Sequence, residues 1–220
     1  MTVDLCWESV PSGVLRCVGT VIWNANSHKA VVIDPTDAPS TFTQLLSQHE
    51  LVLEAVLLTH GHVDHAAGAC AFARGHGLVP YLHHDDWPMY FDAPIWGRGL
   101  RMNVPKPELT PRDLEDGQRL DFGDGICLRV FHTPGHTPGQ VAFVVDALGL
   151  AVVGDTLFYG SVGRTDLPGG NHEQLVHSIR NKLYALADDT LVIPGHGPRT
   201  TIGREKQHNP HVKAASSGHP

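Results

Sequence analysis

No two of the four cysteines, Cys6, Cys17, Cys70 and Cys127, form a C-x-x-C pair. Zinc-finger and thioredoxin-like readings therefore have no support. The cysteines read as free, partly buried thiols of a reducing compartment. Runs of Lys and Arg are also missing, and the formal net charge is −7. A nucleic-acid partner needs a basic stripe to meet phosphates, so none is expected. No apolar run approaches the ~20 residues of a membrane-spanning helix, so no membrane partner is expected either. The opening MTVDLCWESV carries neither the basic nor the apolar segment of a signal peptide. The expectation is a cytoplasmic protein.

What is present is a globular balance, with 41% hydrophobic and 18% charged residues over 220 positions. A chain of that length buries about 70% of its unfolded surface and needs no staples to fold. One domain over residues 1–206 is expected, followed by a polar tail, 207–220, that frays. Sixteen histidines stand out, scattered, with no run longer than two. Neutral imidazole is the commonest protein metal ligand.

The chain alternates apolar runs with turn chemistry. VLRCVGTVIW and VVIDP read as a strand pair, STFTQLLSQHE as a helix capped by Ser40, and AVLLT as a buried strand. HAAGACAFARGHG reads as a helix of small residues and LVPYLHH as a further strand. Residues 85–112 hold five prolines and several aromatics and read as an ordered binding loop. ICLRVF, QVAFVVD, LAVVG and TLVIP read as strands. Asn171, with Gln174 three places on, opens a helix expected to reach about residue 187. Hairpins and strand–helix alternation together predict mixed sheets covered by helices.

Four of these strands end in a loop carrying metal-type ligands. AVLLT is followed by His60, His62, Asp64 and His65; ICLRVF by HTPGHTPG with His136; LAVVG by Asp155; TLVIP by His196. His60 and His62 stand two apart, so in extended backbone they point the same way, whereas the adjacent Asp64 and His65 diverge. The cluster can therefore divide between two ions. His136 can complete the first set, His196 the second, and Asp155 has two oxygens with which to bridge. Every donor is nitrogen or oxygen, a set that zinc, iron and manganese all accept; zinc is the expected ion. Paired divalent ions are a recurring hydrolytic device. His132 and Asp34 stand where they could support a ligand from behind.

THGHVDH, HTPGHTPG, GDTLF and PGHG, in that order, resemble the metallo-β-lactamase superfamily over nearly the whole chain. The resemblance implies a four-layer αββα sandwich of the α/β class, two mixed β-sheets flanked by helices, with a dinuclear site at one sheet edge. It implies His60, His62 and His136 on the first metal, Asp64, His65 and His196 on the second, and Asp155 between them. GDTLF with GSVGRTD, and TTIGREKQHNP with Glu205, resemble the glyoxalase II branch, in its short, single-domain form. That branch hydrolyses a hydroxyacyl-glutathione thioester. The implied catalytic groups are Asp64 and Asp155, and the implied substrate contacts are Arg164, Tyr159 and Phe158. Arg164 suits the anionic end of glutathione because its planar fork can grip a carboxylate with two bonds. The alternative within the superfamily is a persulfide dioxygenase with one iron on His60, His136 and Asp155. A lactonase and a non-catalytic metal-binding protein are the remaining alternatives.

Overall fold

The structure, a computed structural model, describes residues 4–213. In chain order it runs β1 (Leu5–Ser12), β2 (Cys17–Asn24), β3 (Lys29–Ile33), α1 (Pro39–Gln48), β4 (Val52–Leu57), α2 (Val63–Ala66) and α3 (Ala69–Gly75). Two short helices follow, α4 (Trp87–Phe91) and α5 (Ala93–Gly99), then β5 (Arg119–Asp121), β6 (Cys127–His132), β7 (Val141–Val145) and β8 (Leu150–Gly154). The last part is a small ribbon of β9 (Leu157–Phe158) and β10 (Ser161–Val162), then α6 (His172–Asn181), β11 (Leu191–Pro194), β12 (Thr200–Thr201) and α7 (Ile202–His208).

The first sheet has the order β1-β2-β3-β4 and the second β12-β11-β8-β7-β6-β5. Each is mixed, with one parallel pair: β3 beside β4 and β8 beside β11. The inner strands are apolar on both faces, as strands covered on both sides must be. Alternate residues go to different cores. Val31, Ile33, Ala55 and Leu57 meet Val141, Phe143, Leu150 and Val152 between the sheets. Val32 and Val56 pack outward on Phe42, Leu45 and Phe72 of α1 and α3. Ala142, Val144 and Val153 pack outward on Leu175 and Ile179 of α6 and Ile202 of α7. Three apolar layers between four structural layers make an αββα sandwich.

Strand direction decides where the site forms. β6 and β8 are both antiparallel to β7, and β11 is parallel to β8. The carboxyl ends of β6, β8 and β11 therefore share one edge. β3 and β4 run together in the other sheet. A backbone bond from Val141 N–H to Thr59 O, 2.8 Å long, ties the two sheets at that edge.

Some local expectations are corrected. The helix foreseen over 65–77 is two helices, because Gly68 N–H donates to Thr36 O and a Cβ at Gly68 would lie 2.4 Å from that oxygen. LVPYLHH is extended but forms only single bridges at Tyr81, to Leu57 and Arg112. The region 85–112 is not irregular throughout, since Pro88 and Pro94 each sit in the first turn of a short helix, where proline is tolerated. Ala38, not Ser40, caps α1. α6 ends at Asn181 and tightens into a 3-10 turn at Leu183–Ala185. The tail expected from Gln207 begins inside α7, and Asn209 and Val212 are fully buried. Residues 214–220 of that tail lie outside the described residues.

Candidate metal centre

His60 and His136 are buried, and His62 is partly exposed at the cavity mouth. Gly61 between them packs on Asp86, where a Cβ would lie 2.8 Å from Asp86 O. His60 Nε2 lies 3.1 Å from His62 Nδ1, which lies 2.8 Å from His136 Nε2. Three imidazole nitrogens thus face one point. Around a tetrahedral zinc with Zn–N of ~2.0–2.1 Å such nitrogens would stand roughly 3.3 Å apart. The outer nitrogens fix the tautomers. Thr59 Oγ1 donates to Asp34 Oδ2 and so accepts from His60 Nδ1–H, 3.0 Å away. His136 Nδ1–H donates to Arg164 O at 2.7 Å. Both Nε2 lone pairs are left free for the shared point.

A second group lies beside the first. Asp64 and His65 come from α2, and His196 follows β11. His196 Nε2 is 3.1 Å from Asp64 Oδ2, and His65 Nε2 is 3.9 Å from the same oxygen. Asp155, at the end of β8, reaches both groups: Oδ1 is 3.4 Å from His65 Nε2 and Oδ2 is 3.5 Å from His136 Nε2. Its approach requires Gly195, where a Cβ would lie 2.2 Å from Asp155 Oδ1. The structure therefore brings all seven sequence-nominated donors to one spot.

The donors fit cations. His65 Nε2 and Asp155 Oδ1 are buried without a hydrogen-bond partner, which is costly unless something else meets them. Burial, then the neighbouring imidazoles, hold His60 well below the usual histidine range, and burial takes His62 down to about 3. Both rings are thus neutral and ready to donate lone pairs. Burial alone would raise the Asp64 and Asp155 carboxyls, but His65 and its neighbours outweigh it and hold both low. Burial opposes charge on His65 too, yet Cys17, Asp34, Asp64 and Asp155 around it hold it well above its ordinary value. Two neutral rings on one side and two ionised carboxylates, drawing positive charge onto His65, on the other are the environment of a divalent ion.

Supporting groups fall into those the sequence suggested and those it hid. Asp34, at a positive φ of 51°, accepts from Thr59 N–H, Thr59 Oγ1 and His65 Nδ1, the last at 2.8 Å. It orients ligands of both groups. His132 touches no ligand ring; its Nε2–H donates to Pro138 O at 2.8 Å and its ring stacks on His83, 4.1 Å between centroids. Asp86 was hidden. It is fully buried in the proline-rich region and accepts from Gly61 N–H, Thr137 Oγ1 and Gly139 N–H, at 2.9, 2.7 and 2.7 Å. One carboxylate so pins the two loops that carry His60, His62 and His136. The available signal was HHDDW, an acid pair at a helix start, which is common and silent about its partner. Cys17 was also hidden: its sulfur shares a cluster with Asp64, His65 and His196, and burial pushes its thiol up to about 12.

The donors open into a cavity of about 680 Å³, walled by Met89, Trp96, Leu100, Phe158, Leu167 and Pro168. Arg164 lines it as well, with its guanidinium doubly bonded to Asp166 at 2.7 and 2.8 Å. Tyr159 is not among the lining residues; its ring lies against the Arg204 guanidinium. Glu205, fully buried, accepts from Gly160 N–H, Thr200 Oγ1 and Asn209 Nδ2 and anchors the β9–β10 turn. Among the described residues no helix is long and apolar enough to cross a membrane.

A family model described as the metallo-beta-lactamase superfamily matches residues 12–196. Hydroxyacylglutathione hydrolase GloC of Haemophilus influenzae is 34% identical over 212 residues, covering 95% of this chain and 99% of its own. Among solved structures, TTHA1623 in a di-iron-bound form is 39% identical with a TM-score of 0.84, over 93% of this chain and 100% of that one. The BLEG-1 B3 metallo-beta-lactamase is 33% identical with a TM-score of 0.87, over 94% and 99% of the two chains.

Proposed function

The chain belongs to the metallo-beta-lactamase superfamily, and within it we propose a dinuclear metal-dependent hydrolase that cleaves a small-molecule thioester of the hydroxyacyl-glutathione kind. The observation that carries the proposal is Asp155, whose two oxygens lie within 3.5 Å of ring nitrogens from both donor groups. His60, His62 and His136 would hold one ion, and Asp64, His65 and His196 the other. Bound there, two divalent ions would supply a water activated near neutral pH and positive charge for the oxyanion of attack. Zinc is the proposed metal, with iron supported by the di-iron relative.

The protein's own groups then have separate tasks. Asp155 keeps the two ion positions in register. Asp64, ionised and facing the cavity, is the carboxylate that would orient the attacking water or accept its proton. Phe158, Trp96 and Leu100 wall off solvent around the acyl group. A departing thiolate is stable near neutral pH, so no strong general acid is needed. Arg164 stands at the cavity wall for an anionic thiol carrier, with Asp166 as the partner that such a carboxylate must replace. Tyr159, outside the lining, supports the β9–β10 turn through Arg204 and Glu205.

The likeness to a B3 metallo-beta-lactamase favours one further reading, hydrolysis of a β-lactam amide. The test is one metal-loaded preparation assayed with S-lactoylglutathione, a β-lactam, and glutathione persulfide with an oxygen electrode. Thioester turnover at least about 10²-fold above the other two supports the proposal. Oxygen uptake without thioester cleavage points instead to the mononuclear dioxygenase.

A further inference from the structure

We propose that Cys17 is a sulfur ligand of the second ion, an inference that rests on the two-ion reading above. The Cys17 sulfur, one oxygen of Asp64 and one ring nitrogen each of His65 and His196 all lie within 4.8 Å of one another. Cys17 is fully buried at the first position of β2. The next residue, Val18, donates its N–H to Gly195 O at 2.7 Å. This bond fastens the start of β2 to the residue before His196 and fixes where the sulfur sits. An independent sign of an ion position lies in the same place. His65 Nε2 is wholly buried and has no hydrogen-bond partner.

The other cysteines differ. Cys6 and Cys127 are partly exposed strand residues, and Cys70 accepts from Glu108 N–H. Among the described residues Cys17 alone belongs to a metal-type cluster.

The chemistry sets the consequence. Without sulfur the second group is two nitrogens and an oxygen, plus the shared carboxylate, which hard and borderline ions accept alike. Thiolate is a soft donor and moves the preference toward zinc. As the sulfur–metal bond forms, the S–H bond breaks and its proton passes to solvent. The first group, all imidazole, gains no such bias. The two positions therefore differ in metal preference, the second being the zinc-selective one.

The experiment loads metal-free protein stepwise with cobalt(II) and follows its absorption. Thiolate bound to cobalt gives an intense near-ultraviolet charge-transfer band. The expected result is that this band grows with one of the two equivalents, is absent in Cys17→Ser, and persists in Cys127→Ser. Zinc competition should show the second equivalent weakened at least about tenfold in Cys17→Ser, since even outer partners of a ligand are worth that much. X-ray absorption on the unaltered zinc protein needs no variant: sulfur scattering near ~2.3 Å is expected. Two bound ions with neither band nor sulfur scattering would overturn the role of Cys17 and leave the two-ion reading intact. A single bound ion at saturation would overturn both.

Discussion

His60, His62 and His136 form a group made of imidazole alone, while Asp64, His65 and His196 set two imidazoles beside a carboxylate with Cys17 behind them. The two groups are steadied by different devices. Asp86 acts on the first through the backbone and a threonine hydroxyl, fixing the loops and leaving the rings to follow. Asp34 acts on the second directly, by a 2.8 Å bond to the His65 ring, and on the first only through the Thr59 hydroxyl behind His60. Their electrostatics are opposite as well. Burial keeps His60 and His62 neutral, whereas the hydrogen bond to Asp64 raises His196. Without an ion the three facing nitrogens of the first group have at most the one proton of His62 Nδ1 to share among them, and the second partly satisfies itself through the His196–Asp64 contact. A cation is therefore the main thing that can relieve the first group, while for the second it must displace an internal bond.

The largest expected effect removes what the groups share. Asp155→Ala should lower thioester hydrolysis by about 10³-fold or more, a loss on the scale of deleting a principal electrostatic element of catalysis. Steady-state kinetics with metal content measured on the same sample checks it, and near-normal turnover would mean that the groups work separately. Next comes Asp86→Ala, which strands Gly61 N–H, Thr137 Oγ1 and Gly139 N–H in the interior. The cost should be about 3 kcal/mol or more in urea unfolding, at 1–3 kcal/mol for each unsatisfied group. Asp34→Asn puts an amide N–H against Thr59 N–H or against Thr59 Oγ1 and His65 Nδ1, so it should cost less than Asp86→Ala, about 1–3 kcal/mol, and weaken the second equivalent of metal by about 10–100-fold. If both variants affected both metal equivalents equally, the division of labour would be wrong.

A pH experiment on the metal-free protein sharpens the same contrast. His62 is lowered in the folded state from 6.5 to about 3, so over that window the unfolded chain holds the extra proton. Stability from this group is present above about 6.5 and is lost as pH falls toward 3. His196 is raised, so its contribution is present below the unfolded value and is lost as pH climbs through the folded one. His62→Ala should flatten the acid side of the stability curve, and His196→Ala should remove stability on that side. The smallest effect belongs to Asp166→Ala. The Arg164–Asp166 pair is exposed, and such pairs contribute little. No change in melting temperature is expected, with a lower KM for an anionic thioester as the freed guanidinium becomes available.

Much of this centre was legible because its ligands are consecutive with strand ends. THGHVDH, HTPGH, GD and PGH each follow an apolar run, and the parallel direction of β6, β8 and β11 turns that sequence fact into convergence. The buried strands were legible for a similar reason: runs such as AVLL and QVAFVV are apolar on both faces because helices cover the outer one. What stayed hidden depends on partners distant in sequence. Asp86 acts on Gly61 and on Gly139, and Cys17 meets Asp64 and His196, with nothing in the neighbouring residues to announce either. The proline-rich stretch misled because Pro88 and Pro94 sit at helix starts, where they favour the helix that elsewhere they would break. Glu205 and Asn209, in the segment that resembles the glyoxalase II branch, hold Gly160 and Ser161 in place in the structure.

The most direct test of the two-ion account is a titration of metal-free protein with zinc in which thioester turnover is read at each added equivalent. The account predicts little activity after the first ion and a steep rise to a plateau at two per chain. Full activity at one equivalent, or a chain that binds only one, would contradict it.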